Sequence, residues 1–399
     1  MLQRSDRANA ISASPTLTID AKTKALMASG VDIVNLSVGE PDFATPERAS
    51  LAAIAAIVGN FTKYTAVGGI IELRRGIAEK LLKDNQLHYE PDELIVSSGA
   101  KQSLYNIFMT ILNPGDEVIL PAPYWVSYPE QIRLCGGVPV VVPTDESSGF
   151  KMTPERLRQA FSAKTKAVLI NSPSNPTGAV YSPAEISALA RVIEEYPVYV
   201  VSDEIYEQLI YDVEHFSIAR YSDTLRARTF VVNGFSKTHA MTGWRVGYVA
   251  GPRDLVEAMG SFQSHTTANP SSISQKAALG ALGTFDLKTR TEFRNRRDYV
   301  IAQIEQLPGL KSSHPDGAFY IFPNACALLG ASLRLSDGKH VRIDSVDQLC
   351  ELLLIEAHVA VVPGAGFGAP DNFRISYATS SENLQKAMQR ISSFLTRLD

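Results

Sequence analysis

The stretch TFVVNGFSKTHAMTGWRVGYVA, Thr229 to Ala250, sets one lysine and one arginine between two apolar runs. TFVVN (Thr229 to Asn233) and VGYVA (Val246 to Ala250) have the β-branched and aromatic content of strands. The loop joining them places Lys237 directly after Ser236 and Arg245 a short way on. Two cations held close together in a partly desolvated place repel each other and resist burial. They call for a partner, either an anion or a group that takes up the lysine's charge covalently.

The chain upstream alternates short β-rich runs with helical patterns. The runs are LIVS (94–97), EVIL (117–120), VPVVV (138–142), AVLI (167–170) and VYVV (198–201), followed by the two quoted above. Helical patterns cover Lys101 to Leu112, Pro154 to Phe161 and Pro183 to Glu195. Such alternation predicts an α/β fold with a mostly parallel, seven-stranded sheet covered on both faces. The last two runs lack an intervening crossover helix, so one strand is open to an antiparallel placement. Beyond about Pro270 the texture changes to long helical patterns, GAFYIF (317–322), a helix near Val346 to Ala357, VAVVP (359–363) and FRISYA (373–378). These predict a smaller α+β domain. The expected division is an N-terminal arm over 1–45, a large domain over 46–290 and a small C-terminal domain over 291–399.

Bulk properties narrow the classes. A length of 399 residues allows two or three domains. A net charge of -4 and a pI near 6.0 give no basic field for nucleic acid. The densest basic run, Arg294-Asn295-Arg296-Arg297, is expected on a solvated helix face. Cys135, Cys326 and Cys350 form no CxxC pair, which argues against structural zinc or disulfides and suits a reducing compartment. The first ten residues hold no apolar signal core, and SLAAIAAIVGNF (50–61) is too short to span a bilayer. It reads as a buried helix ended by Gly-Asn. A cytoplasmic protein without membrane or nucleic-acid partners is expected.

In open α/β sheets, ligands bind beyond the carboxyl ends of the strands. Reading past each predicted strand gives SGAKQ (98–102), PAPYW ending at Trp125, NSPSNPTG with Asn175, SDEIY with Asp203 and Tyr206, and GFSK with Ser236 and Lys237. Singly, each has a plain structural role available. Asp203 could cap a helix, Trp125 and Tyr206 could be core aromatics, and Asn175 could serve a turn. Together, at corresponding ends of one sheet, they suit a pyridine aldehyde phosphate. That group needs a lysine for a Schiff base and an acid to keep its ring nitrogen protonated. It also needs a flat surface and an anion site. Gly99, Ala100 and Lys101 open a helix whose free amides favour phosphate, and Ser236 and Arg245 can add contacts.

The strings LSVGEPDF, NSPSNPTG, SDEIY, SKTHAMTGWRVGY and FRISYA resemble those of fold-type I, class I pyridoxal-phosphate-dependent aminotransferases. The resemblance is strongest to the bacterial aspartate aminotransferase branch, which includes prephenate aminotransferases. It implies pyridoxal 5'-phosphate as cofactor, bound covalently to Lys237, which also shuttles the substrate proton. Asp203 is implied to pair with the ring nitrogen, Asn175 and Tyr206 with the ring oxygen, and Trp125 to stack on the ring. Tyr64 resembles a tyrosine that reaches the phosphate of a neighbouring subunit, which implies a homodimer with shared sites. Arg374 is implied to bind the α-carboxylate, with Gly39 and Asn175 beside it. Lys101 is the candidate for a side-chain carboxylate, or else merely opens its helix. Two departures stand out: ISASPTLT puts Ser12 where a basic residue is common, and His239 replaces an aromatic. The small-molecule substrates implied are amino and keto acids, L-aspartate and 2-oxoglutarate first. Prephenate or an aromatic keto acid is the alternative acceptor, and a lyase on the same fold a more distant reading.

Overall fold

The computed structural model describes residues 3–12 and 15–399. Its centre is a seven-stranded sheet whose strands are, in chain order, β1 Leu94–Ser97, β2 Glu117–Ala122, β3 Val138–Pro143, β4 Thr165–Asn171, β5 Tyr199–Asp203, β6 Thr229–Gly234 and β7 Gly247–Ala250. The spatial order is β1-β7-β6-β5-β4-β2-β3. All neighbouring pairs are parallel except those of β7, which runs antiparallel to both β1 and β6. This follows from the short connection between β6 and β7, because a parallel pair would need a crossover. Strands β1, β6 and β7 are buried along their length, as their near-continuous apolar runs require.

Helices cover both faces. Helix α1, Ala100–Ile111, follows β1 and buries Leu104, Ile107, Phe108 and Ile111 in one apolar cluster with Ile132, Leu169 and Val249. Gly99 precedes it with φ 89, a left-handed conformation that strains any side chain. On the opposite side of the sheet, Ile186, Leu189 and Ile193 of the helix Pro183–Glu194 pack on Val168, Ile170 and Val200.

The remaining elements form a second body of structure. The short strand Val34–Asn35 pairs in parallel with Val359–Ala360, so the N-terminal arm joins the C-terminal residues. Phe373–Ser376 lies between Val362–Pro363 and Tyr320–Ile321 in a three-stranded antiparallel sheet. The apolar run 359–363 therefore serves two sheets rather than one strand. The helix Leu287–Ile304 contributes Phe293, Val300 and Ile304 to the same core as Phe319, Phe373 and Tyr377.

Two expectations fail here for physical reasons. The helix Glu47–Val58 does end at Gly59 and Asn60, but it is not buried. Its small residues Ala49, Ala53 and Ala56 face inward, while Leu51, Ile54, Ile57 and Val58 are exposed. The basic run lies only half on a solvated face: Arg294 and Asn295 are exposed, Arg296 and Arg297 are not. Arg296 pairs with Asp42 at 2.7 Å and with Glu292 at 2.8 Å, and Arg297 pairs with Asp212 and Asp298. Both arginines are buried, their charges paired by Glu292 and Asp298 of the same helix and by Asp42 and Asp212 from other segments. Among the described residues no helix is long and apolar enough to cross a membrane.

Gly247 shows how tightly the sheet holds the start of α1. A Cβ there would overlap the backbone nitrogen of Ala100. Gly247→Ala is therefore expected to lower unfolding stability by about 1–3 kcal/mol. A denaturant titration checks this, and an unchanged midpoint would mean that the helix start shifts freely.

Candidate active site

The predicted residues converge on a cavity of about 320 Å³ beyond the carboxyl ends of β1, β4, β5 and β6. Asp203 is the last residue of β5, Ser236 and Lys237 follow β6, and Ala100 and Lys101 begin α1. Trp125 comes from the loop after β2, and Asn175 from the loop after β4. The N-terminal arm adds Gly39, and the three-stranded sheet adds Arg374. Gly99 itself does not line the cavity but sets the start of α1. Tyr64 is not brought in: it is 91% exposed and outside the cavity lining.

The acid at the base is well defined. Asp203 is 3% exposed, and its Oδ2 accepts from the Tyr128 hydroxyl at 2.6 Å. Its Oδ1 accepts from the Ile205 amide at 3.2 Å, so it organises a turn rather than capping a helix. Burial pushes the Asp203 carboxyl up to about 6, while these two donors work in the opposite direction.

The lysine is equally constrained. The Lys237 ammonium donates to the Gly39 carbonyl and sits 6.0 Å from the centre of the Tyr206 ring. Burial and then the Arg374 guanidinium bring the Lys237 amine down to about 8. The opening prediction of two cations in a semi-buried place holds for Lys237 but not for Arg245. Arg245 is exposed at the rim, where it donates to the Thr242 carbonyl at 2.9 Å. A side chain at Gly99 would overlap the Arg245 guanidinium, so the glycine lets that cation lie against the start of α1.

Arg374 is 2% exposed and held from three directions. It donates to Asn175 Oδ1 at 2.9 Å and to the Ser37 carbonyl at 2.7 Å, and its guanidinium lies 4.5 Å from the Tyr320 ring centre. Its Nε has no partner, and burial lowers its proton affinity. Lys101 extends over Trp125, 4.9 Å from the ring centre, with its amine lowered by burial and by Arg245. The lining thus sets four cations, Lys101, Lys237, Arg245 and Arg374, against the single carboxylate of Asp203. Such a site favours a ligand carrying more than one negative charge.

Three contributors escaped the reading of the sequence. Tyr128, one residue into helix α2 (Ser127–Leu134), supports Asp203 from below. Tyr320 meets the Tyr206 hydroxyl at 2.9 Å, and a Cβ at Gly39 would come within 2.7 Å of the Tyr320 oxygen. Asn171 accepts the Asn175 amide at 2.9 Å and donates to the Asp203 carbonyl at 3.0 Å, tying two strand ends together.

A sheet with this strand order and a lysine, an acid and a buried arginine in one crevice defines an enzyme of amino-acid chemistry. The sequence matches the family described as Aminotransferase class I and II over residues 31–391, and the chain belongs to that family. It is 46% identical to the aspartate aminotransferase of Bacillus subtilis (strain 168), over 98% of both chains. It is also 46% identical to the aspartate/prephenate aminotransferase of Cereibacter sphaeroides, over 99% of both. The aspartate aminotransferase structure from Rhizobium meliloti superposes with a TM-score of 0.95 at 44% identity, covering 100% of each chain. That of Thermus thermophilus with maleate gives 0.92, at 44% identity over 99% of this chain and 100% of that one.

The depressed Lys237 amine can be measured without a substrate. In the cofactor-free chain, its acetylation is expected to rise with a midpoint near pH 8, whereas solvated lysines follow about 10.4. Peptide mass spectrometry across pH reads both. A Lys237 midpoint at the solvated value would contradict the burial argument.

Proposed function

We propose that the chain is a pyridoxal 5'-phosphate-dependent aspartate aminotransferase that exchanges the amino group of L-aspartate with 2-oxoglutarate. The observation that carries this reading is the cavity itself, in which an amine lowered to about 8, a buried acid and a buried arginine face one another. The family membership and the dicarboxylate maleate named with the Thermus thermophilus structure support it.

The donor set fits the cofactor. Asp203 is held by a phenol and a backbone amide rather than by a cation, which leaves its charge available to a protonated ring nitrogen. Ala100, Ser236 and Arg245 supply an amide, a hydroxyl and a guanidinium where a phosphate would sit, at the start of a helix. Trp125 offers a ring face, and Asn175 and Tyr206 polar groups for the ring oxygen. When bound, pyridoxal phosphate supplies a carbonyl carbon for the amino group and a ring that withdraws electrons.

The chain's own residues do the rest. Arg374 binds the substrate α-carboxylate with its paired donors, and Gly39 lets the arm's backbone approach the same point. The Lys237 amine, near neutrality, removes and returns the proton at the substrate's Cα. Asp203 holds a proton on the ring nitrogen. Lys101 pairs with the side-chain carboxylate, whose unpaired burial would be costly. The exposed Tyr64 reaches the phosphate of a second copy, making a homodimer with shared sites. Residues 46–290 form the cofactor domain, with 1–45 and 291–399 supplying the arm and the small domain. The enzyme works in the cytoplasm.

Prephenate as amino acceptor is a second reading, favoured by the similarity to the Cereibacter sphaeroides enzyme. The assay supplies purified holoenzyme with L-aspartate and either 2-oxoglutarate or prephenate, and follows oxaloacetate. Formation with 2-oxoglutarate is expected, and formation with prephenate alone would reassign the acceptor. Lys237→Ala is expected to lose about 10⁴-fold or more in turnover with the fold intact by circular dichroism. Arg374→Ala should raise KM for aspartate by about 10²-fold; an unchanged KM would place the carboxylate elsewhere.

A further inference from the structure

Tyr128 lines the cavity from α2, is 1% exposed and donates its hydroxyl to Asp203, the last residue of β5. At 2.6 Å to Oδ2, the contact has the length of a charge-assisted O–H···O⁻ bond. The Asp203 carboxylate is anchored on both oxygens, by α2 through the phenol and by its own turn through the Ile205 amide. Two anchors from separate elements fix the carboxylate plane, and each oxygen keeps a lone-pair direction free. The Tyr128 ring is itself fixed by edge-on packing against Trp125, at 5.2 Å between centres. One residue thus links the aromatic plate of the site to its acid.

We propose that Tyr128 is the positioning residue of Asp203, orienting its carboxylate and holding the negative charge on it, so that a proton stays on the ring nitrogen of the bound cofactor. This rests on the function proposed above. Asp203 lies among groups that pull in both directions. Burial and the adjacent Glu204 favour its neutral form, whereas Lys237, the Ile205 amide and Tyr128 favour the charged one. Tyr206 faces the same space from the turn that follows β5, and its own ionisation is opposed by Asp203. Of the donors, Tyr128 is the only side-chain hydroxyl bonded to the carboxylate among the described residues. Without it the carboxylate becomes more basic, and a proton shared with the ring nitrogen moves toward Asp203. The ring then carries less positive charge, and any proton held elsewhere on the cofactor is bound more tightly.

The test is Tyr128→Phe, which keeps the ring and its packing on Trp125. The holoenzyme's absorption is titrated from pH 5 to 10, and cofactor release is measured by dialysis. The midpoint of the cofactor's absorption change is expected to move up by about 0.5–1 unit, since a hydrogen bond to a charged group is worth about 1.5–3 kcal/mol and only part is transmitted. The cofactor should leave faster by up to about tenfold, and kcat should fall about 10–100-fold with KM for the amino acid little changed. In an Asp203→Asn background the same substitution should add almost nothing, because the charge it supports is gone. An unmoved midpoint, or losses that add fully in the double variant, would overturn the role and leave Tyr128 as packing. A wild-type chain that holds no absorbing cofactor would instead fail the underlying reading.

Discussion

The burial of positive charge around Lys237 is the constraint on which the rest of the site depends. The Lys237 ammonium shares one cavity with the Arg374 guanidinium, and burial and then that cation disfavour its charged form more than the nearby Glu40 favours it. The amine is thereby brought close to neutrality, where it can accept and return a proton at physiological pH. Arg374 cannot release its charge in the same way and is held instead by oriented acceptors. Asn175 comes from the central sheet, the Ser37 carbonyl from the N-terminal arm, and the Tyr320 ring from the three-stranded sheet. The pairing of Val34–Asn35 with Val359–Ala360 brings the arm to that place. The buried Arg374 guanidinium is therefore in position only when all three segments are assembled.

The antiparallel β7 has a consequence for the opposite end of the cavity. Its first residue, Gly247, lies against the amide of Ala100, so the strand and the start of α1 approach more closely than any side chain allows. Arg245 precedes that strand by two residues, with φ 55, and is thereby delivered to the same helix start. A parallel β7 would need a crossover between Lys237 and Arg245 and would separate them. The short loop quoted at the outset thus does two jobs. It reverses the chain, and it brings an amine and a guanidinium to the lining of one cavity.

The strand–helix alternation, the antiparallel strand and most cavity residues were legible in the sequence because each follows from local pattern and strand-end position. Asp203, Asn175, Lys237 and Trp125 needed only the rule that ligands bind beyond strand carboxyl ends. Tyr128 and Tyr320 were not legible, since an aromatic in an apolar string is indistinguishable from core until its hydroxyl partner is known. Arg296 and Arg297 were misread for a related reason. Their partners Asp42, Asp212 and Asp298 come from three different segments, two of them distant in sequence, so a charge run looked solvated although tertiary pairing buries it. The helix Glu47–Val58 misled in the opposite sense: strong apolarity marked a face left uncovered in a single chain.

Next to Asp203 in the chain begins a second buried set of charges. Glu204, Glu207 and His215 bring possible ligand atoms within 4.8 Å of one another, a spacing that would suit a metal ion. Their bonds argue otherwise. Glu204 accepts from Ser202 at 2.7 Å, from Ser217 at 2.6 Å and faces the His215 ring at 3.0 Å. Glu207 pairs with Lys80 and accepts from Asn85 at 2.5 Å. Burial alone would raise the Glu207 carboxyl, but Lys80 and His215 more than offset it, and Glu204 likewise holds the His215 ring above its usual range against burial. Lys80 already supplies a cation to Glu207, so the set is a buried ionic network in which His215 Nδ1 alone of the ring's nitrogens lacks a partner. Its effect on the site is electrostatic. Glu204 is bonded to Asp203 in the chain and opposes its charge, while Lys80 and His215 favour the charged form of Glu207. The strand end thus carries two consecutive acids, of which Asp203 lines the cavity and Glu204 bonds to the network beside it.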